Sequence, residues 1–104
     1  MLNILFVDDD AIARRSMIHK IDWAAYGWKL IYTAKDAVDA LDFMKQTQPD
    51  IILSDIKMPI MDGIQMALIA RNYYPDIKYI FLSGYKEFEY AKQALRLNAV
   101  DYLN

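Results

Sequence analysis

The regular alternation of short apolar runs with segments of helical periodicity restricts the fold of this chain more than any other feature. Five runs are rich in β-forming residues and apolar on both faces, at positions 2–7, 28–33, 51–53, 79–82 and 100–103. Such runs are typical of strands that lie buried between two helical layers in a parallel sheet.

The segments between these runs have the periodicity of amphipathic helices, at positions 11–21, 37–44, 64–72 and 87–97. In the second of them apolar residues recur at i, i+3, i+4 and i+7 from Ala37, and Asp36 is placed to cap the helix start. Asn98 stands where the last helix has to end, and Asn tolerates the left-handed conformation of such a position.

Strands and helices therefore follow one another in the order β-α-β-α-β-α-β-α-β. This order predicts parallel pairing, right-handed crossovers and helices on both faces of the sheet. A chain of 104 residues that is 56% apolar has the size and composition of one globular domain. The sequence predicts a single doubly wound α/β domain over residues 1–104.

Composition argues against several classes of function. The net charge is -2 and the basic residues are scattered, which argues against direct contact with nucleic acid. Cysteine is absent, so disulfides, thiolate metal sites and thiol nucleophiles are excluded. The apolar N-terminal run lacks the basic lead-in of a signal peptide, and no run reaches the roughly 18 residues of a membrane span. A cytoplasmic location is expected.

Polar residues follow the predicted strands at their carboxyl ends, where open parallel sheets bind ligands. Asp8, Asp9 and Asp10 follow the first run, Thr33 the second, Asp55 the third and Ser83 the fourth. Carboxylates that converge in this way repel one another and need either protons or a divalent cation. Oxygen ligands without Cys or a nearby His favour Mg²⁺.

With Mg²⁺ bound, a carboxylate can attack a phosphoryl donor to give an aspartyl phosphate. Asp55 is the best candidate for this nucleophile because it stands alone at the end of its strand. Asp8 and Asp9 are candidates for the metal-binding pair, and Ser83 for a hydroxyl that contacts a phosphoryl oxygen.

Each of these residues also has a purely structural interpretation. The three consecutive aspartates can cap the first helix, Asp55 can be a turn residue, and Ser83 can belong to a plain loop. His19 lies beside Lys20 in a helical stretch and is expected to be solvated rather than catalytic. Packing in the core and between helix and sheet, rather than cofactor binding, is expected for Tyr73, Tyr74, Tyr79 and Phe81.

Five segments resemble the response regulator receiver family in their order and spacing. They are ILFVDD at 4–9, PDIILSDIKMP at 49–59, MDG at 61–63, FLSG at 81–84 and AVDYL at 99–103. Together they cover essentially the whole chain. The segments IDW at 21–23 and SGYKEFEYA at 83–91 further resemble receivers joined to AraC-type helix-turn-helix output domains.

The resemblance implies a flavodoxin-like sheet of order 2-1-3-4-5 and a set of site residues. It implies that Asp55 is the phosphoacceptor, and that Mg²⁺ is held by Asp8, Asp9, Asp55 and the backbone carbonyl of Lys57. It also implies that Ser83 is a switch hydroxyl and Tyr102 a switch aromatic residue.

The resemblance further implies partners and an output. The phosphoryl donor would be a sensor histidine kinase or a small acyl phosphate, and the output would be transcription. A homodimer through the segment 87–97 and the last strand is a further expectation.

The sequence departs from the family pattern at its end. Receivers carry a Lys and a final helix after the position of Asn104, so this chain is expected to lack both. Asn98 replaces the usual Gly.

Two competing functions follow from these observations. A receiver-like interaction module without working phosphotransfer is favoured by the absent Lys, and labelling of Asp55 by an acyl phosphate distinguishes it from a working receiver. A haloacid-dehalogenase-like phosphotransferase also uses an Asp nucleophile and Mg²⁺. Asp8 and Asp10 match its Asp-x-Asp pattern superficially, but the chain is short for it. Turnover of a phosphomonoester would identify that enzyme.

Overall fold

The computed structural model describes residues 1–82 and the backbone of residues 99–103. Along the chain the elements are β1 (Leu2–Val7), α1 (Ala11–Lys20), a 3₁₀ helix (Trp23–Tyr26), β2 (Trp28–Ala34), α2 (Ala37–Met44), β3 (Ile51–Asp55), α3 (Gly63–Tyr73), β4 (Lys78–Leu82) and β5 (Ala99–Leu103). The predicted helix at 87–97 and Asn98 lie outside the described residues.

The five strands form one parallel sheet in the order β2-β1-β3-β4-β5, which confirms the predicted fold class. β1 is flanked by β2 on one side and by β3 on the other. Asp50 fixes the start of β3 against β1, because its carboxylate accepts a 2.6 Å hydrogen bond from the backbone N–H of Asn3. β2 is added on one side of β1, and β3 to β5 are added on the other side, so the switch point of this doubly wound sheet lies between β1 and β3.

Alternate residues of the strands face two separate apolar layers. Leu5, Val7 and Ile52 belong to the layer that includes α2 and α3. Ile4 and Phe6 belong to the opposite layer, where the 3₁₀ helix and residues of α1 cover the sheet. Helices therefore lie on both faces of the sheet, as the strand–helix alternation predicts.

Side-chain caps fix where the three α-helices of the described residues begin. Asp36 accepts a 2.7 Å hydrogen bond from the backbone N–H of Asp39, which confirms its predicted role as the cap of α2. Asp62 and Gln65 form a reciprocal capping box at α3. Asp10 caps α1, accepting from the backbone N–H of Ile12 at 2.9 Å. Each cap satisfies helix donors that have no partner within the helix.

The aromatic residues that were predicted to pack in the core differ in how deeply they are buried. Tyr79 and Phe81 are buried and stacked with a 6.1 Å centroid separation, as expected. The Tyr79 hydroxyl has no hydrogen-bond partner among the residues that the structure describes. Tyr73 is 73% exposed, so the expectation that it packs in the core was wrong. Tyr73 is the last residue of α3, and most of its side chain is exposed to solvent.

The 3₁₀ helix after α1 has no counterpart among the predicted elements. It ends at Gly27, whose φ of 74° places it in the left-handed region that favours glycine. Trp23 anchors this turn by donating from its indole nitrogen to the Met17 carbonyl at 3.1 Å. His19 is exposed, as expected. Within the described part of the chain, no helix has both the length and the apolar character needed to cross a membrane.

Candidate functional site

Three carboxylates meet at the carboxyl edge of the sheet. Asp8 and Asp9 directly follow β1, and Asp55 is the last residue of β3. The strands are adjacent and paired with Val7 opposite Ser54, so the residues after them lie side by side. One oxygen from each of the three carboxylates lies within 4.8 Å of the others. Residues up to 47 positions apart in the chain thus form one acidic cluster.

Asp10 is separate from this cluster. Its side chain caps α1, which is the structural interpretation of the aspartate run, and its backbone N–H donates to the Asp8 carboxylate at 3.0 Å. The pairing of Asp8 with Asp10 that a haloacid-dehalogenase-like site needs is therefore replaced by the pairing of Asp8 and Asp9 with Asp55.

Burial and mutual repulsion disfavour the charged forms of two of these carboxylates. Burial raises the pKa of Asp8 above its ordinary value; the Asp10 backbone N–H opposes this, and the charges of Asp9 and Asp10 add to it. Burial also raises the pKa of Asp55, and the negative charges of Asp8 and Asp9 raise it further. A bound cation would remove this penalty, because it reverses the sign of the local potential.

The donor set of the cluster fits a hard divalent cation. It consists of carboxylate oxygens from two half-buried residues and from the exposed Asp9. Such oxygens suit Mg²⁺, which takes one or two carboxylates and keeps water in its remaining positions. Lys57 is exposed in the turn after β3, and the ligand role of its carbonyl stays a prediction.

The turn between β3 and α3 holds the end of β3 in place. The backbone N–H of Gly63 donates to the Ile56 carbonyl at 2.8 Å. A Cβ atom added at Gly63 would overlap the Asp55 carbonyl oxygen, so glycine permits this close approach. Ser54 is fully buried and donates its hydroxyl to the same Asp55 carbonyl at 2.7 Å. The peptide that follows Asp55 is thereby held from two sides, by the Ser54 hydroxyl and by Gly63.

A cleft of about 170 Å³ opens beside the acidic cluster. Asp9 lines it together with Lys35, from the loop before α2, and Ile60, from the turn after β3. Ile60 has a φ of 73° and is fully exposed, although a β-branched residue rarely adopts this conformation. Sequence reasoning missed Lys35 and Ile60 as neighbours of the site. Their nearness to Asp9 depends on the strand pairing and on one backbone angle.

Three other residues were predicted to lie at the site or to respond to it, and their outcomes differ. Ser83 lies outside the described residues. Tyr102 lies in β5, opposite Phe81 of β4 in the strand register, and its role as a switch residue stays a prediction. The placement of Thr33 after the second strand was wrong, because β2 continues to Ala34 and Thr33 pairs with Phe6 inside the sheet.

Comparisons with known proteins agree with this geometry. Residues 4–104 match the family described as the response regulator receiver domain. The transcriptional regulatory protein HptR of Staphylococcus aureus is 37% identical over 103 residues, which are 99% of this chain and 40% of HptR. The chain therefore spans less than half the length of this relative.

Two solved structures are similar over 98% of this chain and 79% of their own length. The REC domain of AraT, a response regulator from Geobacillus stearothermophilus, is 36% identical with a TM-score of 0.85. A two component transcriptional regulator AraC from Clostridium phytofermentans is 37% identical with a TM-score of 0.89.

Proposed function

This chain belongs to the response regulator receiver family, and from that premise we propose that it accepts a phosphoryl group on Asp55 as the input step of a two-component system. The observation that carries the proposal is the convergence of Asp8, Asp9 and Asp55 within 4.8 Å at the carboxyl edge of the sheet. A lone aspartate at the end of a strand can be explained as a turn residue. Three converging carboxylates cannot be explained in this way, because each one makes the ionisation of the other two less favourable.

The transfer forms one bond and breaks one. An oxygen of the Asp55 carboxylate attacks the phosphorus, and the bond from phosphorus to the donor's imidazole nitrogen breaks. The imidazole keeps the electron pair and takes up a proton from solvent. With an acyl phosphate the broken bond is P–O, and a carboxylate leaves. A bound Mg²⁺ would supply charge neutralisation for the phosphoryl oxygens.

The residues of this chain have separate tasks in that step. Asp8 and Asp9 would hold the cation, together with Asp55 and the carbonyl of Lys57. Asp55 provides the nucleophile from its half-buried position at the end of β3. Ser83 and Tyr102 would read out the phosphoryl group as the switch hydroxyl and the switch aromatic residue.

The proposed partners follow from the family. The donor would be a sensor histidine kinase, and a DNA-binding output domain would belong to the full protein, as the transcriptional regulators among the relatives suggest. Residues 1–104 would act as one receiver domain in the cytoplasm, regulating transcription without contacting DNA directly. Pairing of two copies through the segment 87–97 and β5 is part of the proposal.

Intact-mass analysis after incubation with acetyl phosphate tests the phosphoacceptor role. We expect a Mg²⁺-dependent gain of one phosphoryl group that is lost in Asp55→Asn. Asp42→Asn is the matched control, because Asp42 is exposed on α2 and lies outside the acidic cluster. Labelling that persists in Asp55→Asn would move the acceptor elsewhere. A wild-type chain that binds Mg²⁺ and gains no mass would instead be a receiver-like interaction module.

Calorimetric titration with Mg²⁺ tests the metal-binding role. Asp9→Ala removes one ligand, and we expect an affinity at least roughly tenfold lower than that of the wild type. Asp42→Ala is the control for the loss of one negative charge on the surface. An unchanged affinity in Asp9→Ala would contradict the assignment of this residue as a ligand.

A further inference from the structure

Ser54 is a polar side chain that has no solvent exposure and lies next to the proposed phosphoacceptor in the sequence. Its hydroxyl donates a 2.7 Å hydrogen bond to the backbone carbonyl of Asp55. A buried hydroxyl requires a partner, but this partner is the carbonyl of the one peptide that leads out of β3 into the site.

The other side of the same carbonyl oxygen is confined by α3. The Cα atom of Gly63 approaches so closely that an added Cβ would overlap the Asp55 oxygen. Gly63 also donates its N–H to the Ile56 carbonyl at 2.8 Å. The peptide between Asp55 and Ile56 therefore lies between a hydrogen-bond donor in β3 and the first turn of a helix.

A peptide unit is planar and rigid, so holding its oxygen also fixes the direction of its N–H. The N–H of this peptide belongs to Ile56, and together with the N–H of Lys57 it offsets part of the rise that burial and the charge of Asp8 cause in the pKa of Asp55. A chain of contacts thus runs from the Ser54 hydroxyl through one peptide plane to the carboxylate.

We propose that Ser54 is a positioning residue that orients the Asp55 carboxylate by anchoring the peptide between Asp55 and Ile56. The proposal rests on the proposed function for its consequence in phosphorylation, whereas its structural part concerns the peptide alone. Ser54 touches neither donor nor cation and acts only through this peptide.

The first experiment is amide hydrogen exchange at Ile56, followed by NMR in metal-free buffer. Ser54→Ala deletes the hydroxyl with little change in volume, and we expect the Ile56 amide to exchange roughly tenfold faster. Ile52→Val is the matched control, since it removes one buried methylene from the same strand and leaves the peptide contacts intact. Ser54→Thr keeps a hydroxyl and is expected to restore slow exchange.

The second experiment is the rate of labelling by acetyl phosphate at saturating Mg²⁺ and donor. We expect Ser54→Ala to be labelled roughly tenfold more slowly than Ile52→Val, with wild-type rates restored in Ser54→Thr. Equal Ile56 exchange in Ser54→Ala and Ile52→Val, once corrected for global stability, would overturn the proposal. Absence of labelling in the wild type would refute the proposed function alone, because the exchange comparison still decides the role of Ser54.

Discussion

The interior of the sheet and its carboxyl edge are formed by the same strands and have opposite energetics. In β3, Ile52 is fully buried among apolar neighbours, whereas three residues later Asp55 is half-buried beside two other carboxylates. Burial of Ile52 stabilises the folded state, whereas burial of Asp55 raises the pKa of its carboxylate. The same fold thus provides stability in the interior and places like charges together at the edge.

This contrast indicates how stability and function are divided along each strand. Apolar burial contributes about 25 cal/mol per Å² to the free energy of unfolding. Because the core is closely packed, a substitution that removes buried volume lowers this free energy. Carboxylate repulsion at the edge opposes folding until a cation or a proton relieves it. Substitutions in the two regions should therefore change stability in opposite directions.

The largest expected effect is in the interior. Phe6 is 1% exposed in β1, and Phe6→Ala should lower the free energy of unfolding by about 3–5 kcal/mol through lost burial and a cavity. Leu2→Ala, at the half-exposed start of the same strand, is the control and should cost about 1 kcal/mol or less. Urea denaturation measures both. Similar losses in the two variants would contradict the assignment of Phe6 to the core. Phe6→Leu replaces Phe6→Ala if the latter does not fold.

The next largest effect is a gain in stability, and it is expected at the carboxyl edge of the sheet. Asp55→Asn removes one of three converging charges, and in metal-free buffer it should raise the free energy of unfolding by about 1 kcal/mol. Thermal unfolding would show this as a rise in Tm of roughly 4 °C or more. Asp42→Asn, away from the cluster, should leave Tm nearly unchanged. A lower Tm in Asp55→Asn would mean that the carboxylate stabilises the fold.

The difference in stability between Asp55→Asn and the wild type should depend on pH. Because the folded-state pKa of Asp55 is raised, the folded state binds more protons than the unfolded state just above pH 3.8, and stability falls as pH rises through that window. The advantage of Asp55→Asn over the wild type should thus be absent near about pH 3 and grow with pH. Urea denaturation at a series of pH values tests this. A difference that shrinks with rising pH would imply a lowered pKa.

The smallest expected effect concerns one exception inside the core. Burial raises the pKa of Tyr79 to about 12, and its hydroxyl has no hydrogen-bond partner among the described residues. Tyr79→Phe should therefore be neutral or stabilise the protein by up to about 1 kcal/mol. Urea denaturation is again the measurement, with Phe81→Leu as a control that removes packing. A clear loss of stability in Tyr79→Phe would reveal a partner for the hydroxyl.

The sequence was sufficient to predict most of the interior. Patterns of apolar residues placed β1 at the residues where it is found and the other strands within two residues of their ends. They did so because burial between two layers leaves a clear signal, namely runs that are apolar on both faces. The cap at Asp36 was readable because Asn, Asp, Ser and Thr have a specific local function at helix starts.

The edge was predictable only in part. The convergence of strand-end residues follows from parallel topology, which brings Asp8, Asp9 and Asp55 together. The left-handed conformation of Ile60 and the contact between Ser54 and the Asp55 carbonyl depend on the exact path of one turn. No residue-type preference indicates an isoleucine with positive φ, so such details come from tertiary structure alone.

The strand order has a consequence for how the chain folds. Asp9 and Asp55 are brought together only after β1 has paired with β3, across a loop of more than 40 residues that must close first. The unfolded chain therefore lacks the three-carboxylate cluster, because Asp55 is far along the chain from the adjacent Asp8 and Asp9. Any cation held by the cluster binds the folded chain alone, so it slows unfolding and cannot assist the early steps of folding.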